Sequence, residues 1–322
     1  MDRLFRTLYD FYRDIDFRKF QNSFARDLYE NLGTSYSNSY NEIKTVTELC
    51  NTINGKSYHN LKFHTKKIHG SRSLVEFYNQ KKPTTKELAD MVIISIATRE
   101  SKIVFEKTAF IQNKKEDDNN QWKIDLDQLY LLRNFPTFKG NRGIFRRNFN
   151  DEVVFFNNSK TLGNYGLFQY PGEMIIANAH TIFKVLQNDK VFLNDLKNEL
   201  DSFQQLNNSN VFDYRYFEEI LHRMYKFHPA FLSSFLNLPF LGNSSISLNI
   251  YDFVRNWTLF NIGDVVSLFG KIVEPDLFKF NQIMLKEVGL KQYLNNNFES
   301  PEFENNMVVI VSHLDLDEMT KE

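Results

Sequence analysis

Three side chains in KELADMVIISIATRESKIVFEKTAFIQNKK, residues 86–115, have the types and spacing to act on a phosphate ester: Asp90, Gln112 and Lys114. Side chains along a strand alternate, so Gln112 and Lys114 project from one face while Asn113 points away. If MVIISIA and AFIQNKK are neighbouring antiparallel strands joined through the polar TRESK turn, Asp90 falls beside Gln112, because both lie at the ends away from that turn. One carboxylate, one amide oxygen and one ammonium group then converge at the mouth of a sheet. Mg²⁺ (or Mn²⁺) takes hard oxygen ligands and keeps several waters, which makes Asp90 and Gln112 the candidate metal ligands. Lys114 would orient the attacking water or offset the charge that develops on the phosphate. A neutral amide where a second carboxylate could stand predicts weaker metal binding than a two-acid site gives. The competing reading of Gln112 and Lys114 is a strand that simply ends in solvent.

The elements that must position these groups follow from periodicity. DFRKFQNSFARDLYENL, residues 16–32, sets Phe17, Phe20, Phe24, Leu28 and Leu32 at helical spacing, with Gly33 where a C-terminal cap belongs. A further helix is expected near TVTELCNTIN, and SYHNLKFHTKKIHG reads as a strand or hairpin. MVIISIA is apolar enough for a central strand covered on both faces. IDLDQLYLLRNF reads as a helix that starts at Asp125 or Asp127. EVVFF, YGLFQY and EMIIANA are short strand candidates. From about residue 186 the pattern is mostly helical, through VFDYRYFEEILHRMYKF and SLNIYDFVRNWTLF, and HLDLDEMTKE reads as an acidic tail of little structure. The expected division is a mixed α/β region over residues 1–185 and a mainly helical region over residues 186–322.

The order of acidic residue, apolar strand, Gln-x-Lys and following helix resembles the PD-(D/E)XK nuclease superfamily in its Gln-x-Lys variant, similar to restriction endonucleases of the Mrr type and to effector nucleases of bacterial anti-phage systems. The resemblance covers roughly residues 16–135. It implies an α+β, restriction-endonuclease-like fold with a mixed central sheet flanked by helices, and a Mg²⁺-dependent endonuclease acting on DNA, with RNA not excluded. Carried over by position, Asp90 stands at the metal-binding aspartate, Gln112 at the usual Glu and Lys114 at the lysine. The family often adds an acid from the first helix, for which Glu30 is the best match and Asp27 a weaker one; a solvated helix face is the plainer reading of Glu30. The sequence departs from the pattern in having Ala89 where a Pro is usual, and Gln in place of the acid. Literal E-x-K also occurs at Glu42-Ile-Lys44, with no apolar strand before it, and at Glu100-Ser-Lys102, in the expected hairpin turn.

Lys66, Lys67 and Arg72 form a candidate nucleic-acid-binding patch if their strand lies beside MVIISIA. Arg146 and Arg147 are a further possible phosphate contact, and His64 with His69 lack a third ligand for zinc. The formal net charge of -1 excludes an overall basic coat, so any phosphate-binding patch must be local. One cysteine, Cys50, excludes an internal disulfide framework and a cysteine-rich zinc site, which suits a reducing cytoplasm. The start MDRLFRTLYDFYRD carries charges every few residues, unlike a signal peptide, and no apolar run reaches the length of a membrane span. Cytoplasmic residence and no membrane partner are the expectation. P-loop, Rossmann and nucleophile-elbow motifs are missing from the sequence. Aromatic-rich amphipathic stretches after residue 186 suggest a homo-oligomer or a complex with a partner subunit. The rival expectation is a non-catalytic nucleic-acid-binding or scaffolding subunit that keeps the fold without the metal.

Overall fold

The hairpin that carries Asp90, Gln112 and Lys114 lies at the middle of a ten-stranded sheet. A computed structural model of the chain describes residues 11–68, 74–142, 146, 148–156, 160–187, 211–213, 243–244, 246–290 and 307–317. The main strands are β1 (Leu61–Ile68), β2 (Met91–Arg99), β3 (Lys102–Lys115), β4 (Gly163–Gln169), β5 (Glu173–Asn178), β6 (Asp264–Leu268) and β7 (Met307–Asp315). The helices are α1 (Ile15–Ser37), α2 (Glu42–Ile53), α3 (Leu126–Asn134), α4 (Ala179–Leu186), α5 (Ile250–Thr258) and α6 (Pro275–Glu287). Across the sheet the order is β1, β7, β2, β3, β4, β5. β2 and β3 pair antiparallel from Met91↔Ile111 to Arg99↔Lys102. Glu100 and Ser101 make the connection, both at positive φ (51° and 58°), the conformation a two-residue hairpin turn requires. β3 then runs parallel to β4, and β7 runs parallel to β2. The sheet is therefore mixed and flanked by helices, an α+β architecture.

Alternation along the strands sorts the apolar side chains into two cores. Val92, Ile94, Phe110, Tyr165, Leu167, Val309 and Val311 face α3, α4 and α6. Met91, Ile93, Ala109, Ile111, Phe168, Val308 and Ile310 face α1, α2 and α5. The stripe of Phe17, Phe24, Leu28 and Leu32 is buried as the spacing predicts. The helix does not stop at Gly33, however, but continues to Ser37. Gly33 instead permits close approach of the turn after β4: a Cβ there would sit 3.0 Å from the Pro171 carbonyl oxygen, and one on Gly172 would sit 2.5 Å from that of Tyr29. α3 begins at the expected cap, with the Asp125 side chain accepting from the Gln128 N–H. EVVFF forms no strand and contributes one bridge, Val153 to Phe138.

The region after residue 186 differs from expectation. HLDLDEMTKE was expected as a tail, yet His313–Asp315 end β7, which lies between β1 and β2 with Val309, Val311 and Ile310 fully buried. β6 pairs with the first half of β3, and α5 and α6 cover opposite faces of the sheet. Of the described part of residues 186–322, β6 and β7 are thus built into the same sheet as the N-terminal part. Val211–Asp213, expected as a helix start, is a strand paired with Gln121–Lys123; residues 214–227 lie outside the described residues. Among the described residues, no helix is long and apolar enough to cross a membrane.

A buried polar layer ties α6 to the sheet. Glu106 of β3 is fully buried; it accepts from Asn281 Nδ2 at 2.8 Å and from Ser267 Oγ at 3.3 Å. Burial pushes its carboxyl up to about 7, against the pull of those two bonds. Because the folded pKa lies above the unfolded value of 4.5, the native state binds more protons across that window, and stability falls as pH rises from about 4.5 to 7.

Two outcomes follow from this packing. Ile310→Ala will lower the urea-measured unfolding free energy by about 2–5 kcal/mol; a loss under roughly 0.5 kcal/mol would mean that β7 is not a core strand. Glu106→Gln, whose amide oxygen can still accept from Asn281 while its amide nitrogen donates to Ser267 Oγ, will raise stability at pH 8 by up to about 3 kcal/mol, with the gain shrinking toward pH 4. An equal effect at both pH values would show that Glu106 is not the titrating group.

Candidate active site

At one edge the sheet brings together the start of β2, the ends of β3 and β4, the start of β7 and the N-terminus of α2. Asp90 is fixed there by its backbone. Its N–H donates to the Ile111 carbonyl of β3 at 3.2 Å, and its carbonyl accepts from the Val308 N–H of β7 at 2.9 Å. Its side chain turns onto the end of β3, where Oδ2 accepts from the Gln112 Nε2 group and from the Asn113 N–H at 2.8 Å. The hairpin register therefore brings Asp90 and Gln112 into contact, as the strand reading predicts.

Although Asp90 as a whole is only half-buried, its carboxyl is largely desolvated. That burial, followed by the negative charge of Glu42, pushes its pKa up to about 7; the Asn113 N–H and the Lys114 ammonium pull the other way. The Gln112 amide oxygen is buried and has no hydrogen-bond partner. Tyr165, opposite Gln112 on β4, is likewise buried with an unpartnered hydroxyl, and burial raises its pKa. Unpaired buried polar atoms are costly in a native fold and point to strain or to a group that completes them.

Lys114 does not stand alone. Its Nζ lies 3.4 Å from Glu42 Oε1, while Glu42 Oε2 accepts from the Lys115 N–H at 3.3 Å. Glu42 is the first residue of α2, after the N-cap Asn41 whose side chain accepts from the Lys44 N–H. A carboxylate there is favoured by the exposed N–H groups and the helix dipole. Lys115 Nζ donates to the Tyr40 carbonyl at 2.8 Å and lies 4.3 Å from the centre of the Tyr36 ring. The acid beside Lys114 is thus Glu42. Glu30 is exposed on α1 and, among the described residues, bonds to none of Asp90, Gln112 or Lys114. As part of an E-x-K triplet Glu42 carried no weight; an acid directly after a helix-capping Asn was the signal for it.

The proposed basic strand sits elsewhere than expected. β7 separates β1 from β2, so Lys66 and Lys67 lie two strands away from Asp90 rather than one. Lys66 pairs with Glu287 at 3.2 Å, and Lys67 donates to Thr47 Oγ1 at 3.2 Å. Arg72, His69 and Arg147 lie outside the described residues, and Arg146 is exposed.

For a divalent cation, the available hard donors are the second Asp90 carboxylate oxygen and the orphaned Gln112 oxygen, with Glu42 adding negative field. Among the described residues no group of three or more His, Cys, Asp or Glu side chains could hold a metal. The set fits a cation that keeps most of its waters and takes few protein ligands. Comparison with protein-family models, with curated proteins and with solved structures returns no match.

Removing the Glu42 charge should release Asp90 in part. Glu42→Gln will lower the Asp90 carboxyl pKa from about 7, read by carboxyl-carbon NMR, yet leave it above the ordinary aspartate range because burial is the larger cause. An unchanged value would show that Glu42 does not act on the site.

Proposed function

We propose that the chain is a divalent-metal-dependent nuclease of the PD-(D/E)XK kind, hydrolysing phosphodiester bonds of DNA. The observation that carries this reading is the contact of Asp90 with Gln112 at the sheet edge, beside Lys114 and with the Gln112 oxygen left unpaired. The mixed sheet flanked by helices, and the helix α3 that follows the Gln-x-Lys strand, agree with it. A restriction or anti-phage role rests on the resemblance alone; residence in the cytoplasm rests on the single cysteine, and assembly with a second copy or a partner subunit on the aromatic-rich stretches after residue 186.

In this reading Asp90 and Gln112 hold Mg²⁺ or Mn²⁺. The cation supplies Lewis-acid activation of the phosphodiester when bound. Lys114 stands where negative charge grows as water adds to phosphorus and the P–O ester bond breaks, leaving a phosphate monoester and a free hydroxyl. Glu42 holds Lys114 in place through their ion pair. Asp90→Asn and Lys114→Ala will each reduce cleavage of DNA in Mg²⁺ or Mn²⁺ by about 100-fold or more, with circular dichroism unchanged. Wild-type protein that cleaves neither DNA nor RNA with either ion, or variants that cleave normally, would sink the proposal.

One observation favours the rival, a non-catalytic nucleic-acid-binding or scaffolding subunit. The amide nitrogen of Gln112, not its oxygen, faces Asp90, so the Asp90 carboxyl has a donor without an ion. Calorimetric titration separates the readings: Mg²⁺ or Mn²⁺ heats that vanish in Asp90→Asn support the enzyme, and no site at millimolar ion supports the rival.

A further inference from the structure

Just beyond the Gln112 and Lys114 positions, aromatic rings and lysines from the end of β3, the turn after β4, the end of α1 and the start of α2 lie close together. Lys115 of β3 is in register with Phe168 of β4, and the Glu116 N–H donates to the Phe168 carbonyl at 3.2 Å. The Glu116 carboxylate in turn accepts the Tyr170 N–H, which fixes the Tyr170 backbone beside Glu116. Tyr170 is 67% exposed, and its ring meets Tyr36 edge to face, with ring centres 6.0 Å apart. Tyr36 carries the Lys115 ammonium over its ring, and Lys115 is bonded to the Tyr40 carbonyl. Tyr40 carries the Lys44 ammonium 3.5 Å from its ring centre, with Lys44 itself exposed.

We infer that this row, Tyr170, Tyr36, Lys115, Tyr40 and Lys44, is a platform for single-stranded nucleic acid that leads a strand to the Asp90 edge; as the substrate track of that edge, it rests on the nuclease reading. Lysines alone would grip any phosphate backbone, duplex included, and an apolar patch alone would suit a protein partner. Rings held among ammonium groups suit ligands that present flat base faces and phosphates together. Base faces are open to side chains only where the strand is unstacked and unpaired, because a duplex shows its edges and backbone. The two acids along the row do not cancel it: Glu42 and Glu116 are engaged by main-chain N–H groups, and Glu42 also by Lys114. Tyr170 is also mostly exposed, which leaves it open to a ligand.

The test is fluorescence anisotropy with full-length protein in EDTA, where no cleavage depends on a divalent ion, using labelled oligothymidylate, oligouridylate and a duplex of the same length. The expected result is tighter binding of a single strand than of the duplex. Tyr170→Ala should weaken it by about tenfold, the scale of one stacking contact, and leave duplex binding unchanged. Tyr170→Phe should retain it, and the melting temperature should not move in either variant. The thymidylate and uridylate arms tell DNA from RNA, and a preference for either over duplex supports the platform. Equal binding of single strand and duplex, or single-strand binding indifferent to Tyr170→Ala, overturns it. Single-strand binding by a wild-type protein that cleaves nothing in Mg²⁺ or Mn²⁺ would keep the platform and remove the nuclease reading.

Discussion

The site depends on one backbone arrangement: the peptide groups of Asp90 are held between β3 on one side and β7 on the other. β7 is the last described strand of the chain, yet it lies inside the sheet, between β1 and β2. Without it, β1 and β2 would have no common neighbour, and the Asp90 carbonyl would lose its partner. The chemistry-bearing edge is therefore complete only when sequence from both ends of the protein has met. Contacts of such separation make closure of the sheet a late and cooperative event, since the entropy of joining distant segments must be met before their contacts stabilise anything.

Within that frame, the local constraint is how a carboxyl group is kept at the edge of an apolar core. Burial and the Glu42 charge both disfavour its ionised form, and the peptide N–H of Asn113 and the Lys114 ammonium favour it. The near balance leaves the group poised around neutral pH. A proton can then settle its charge near neutral pH, and on the nuclease reading a cation would do the same. Glu42 is central to that balance because it acts twice, raising the Asp90 carboxyl by its field and holding Lys114, whose charge opposes the effect.

What was legible in the sequence is what depends on local pattern. The β2–β3 hairpin, the apolar stripe of α1 and the Asp125 cap of α3 rest on alternation, helical spacing and turn chemistry among near neighbours, and the Asp90–Gln112 contact follows from hairpin register alone. What was missed rests on distant partners. VVIVSHLD is an ordinary short apolar segment until β1 and β2 flank it. Lys66 and Lys67 could be assigned to a strand but not to a place in the sheet, because strand order is set by all the strands together. Glu106 and Lys107 sit in the middle of IVFEKTAF, where charged side chains on either face of a strand read as solvent-facing. Both are buried, since α6 brings Asn281 to Glu106 and Lys107 reaches Asn243 at 2.7 Å. Burial pushes the Glu106 carboxyl up and the Lys107 ammonium down, each to about 7, as expected for charges covered on opposite faces of one strand.

The amide at position 112 belongs to the same electrostatic argument. A carboxylate there would face Asp90 across hydrogen-bonding distance, and two unit charges about 4 Å apart repel by roughly 4 kcal/mol at an effective dielectric of 20. Glu42 would add to that repulsion, and Lys114 is already paired with it. In the absence of a cation, three acids around one lysine would oppose the closing of β7 over Asp90. Gln112 replaces that repulsion with a donor to Asp90 and keeps an oxygen in reserve. The resulting edge can be stable as a folded sheet with no ion present, and on the nuclease reading it would hold Mg²⁺ less tightly than a two-acid edge.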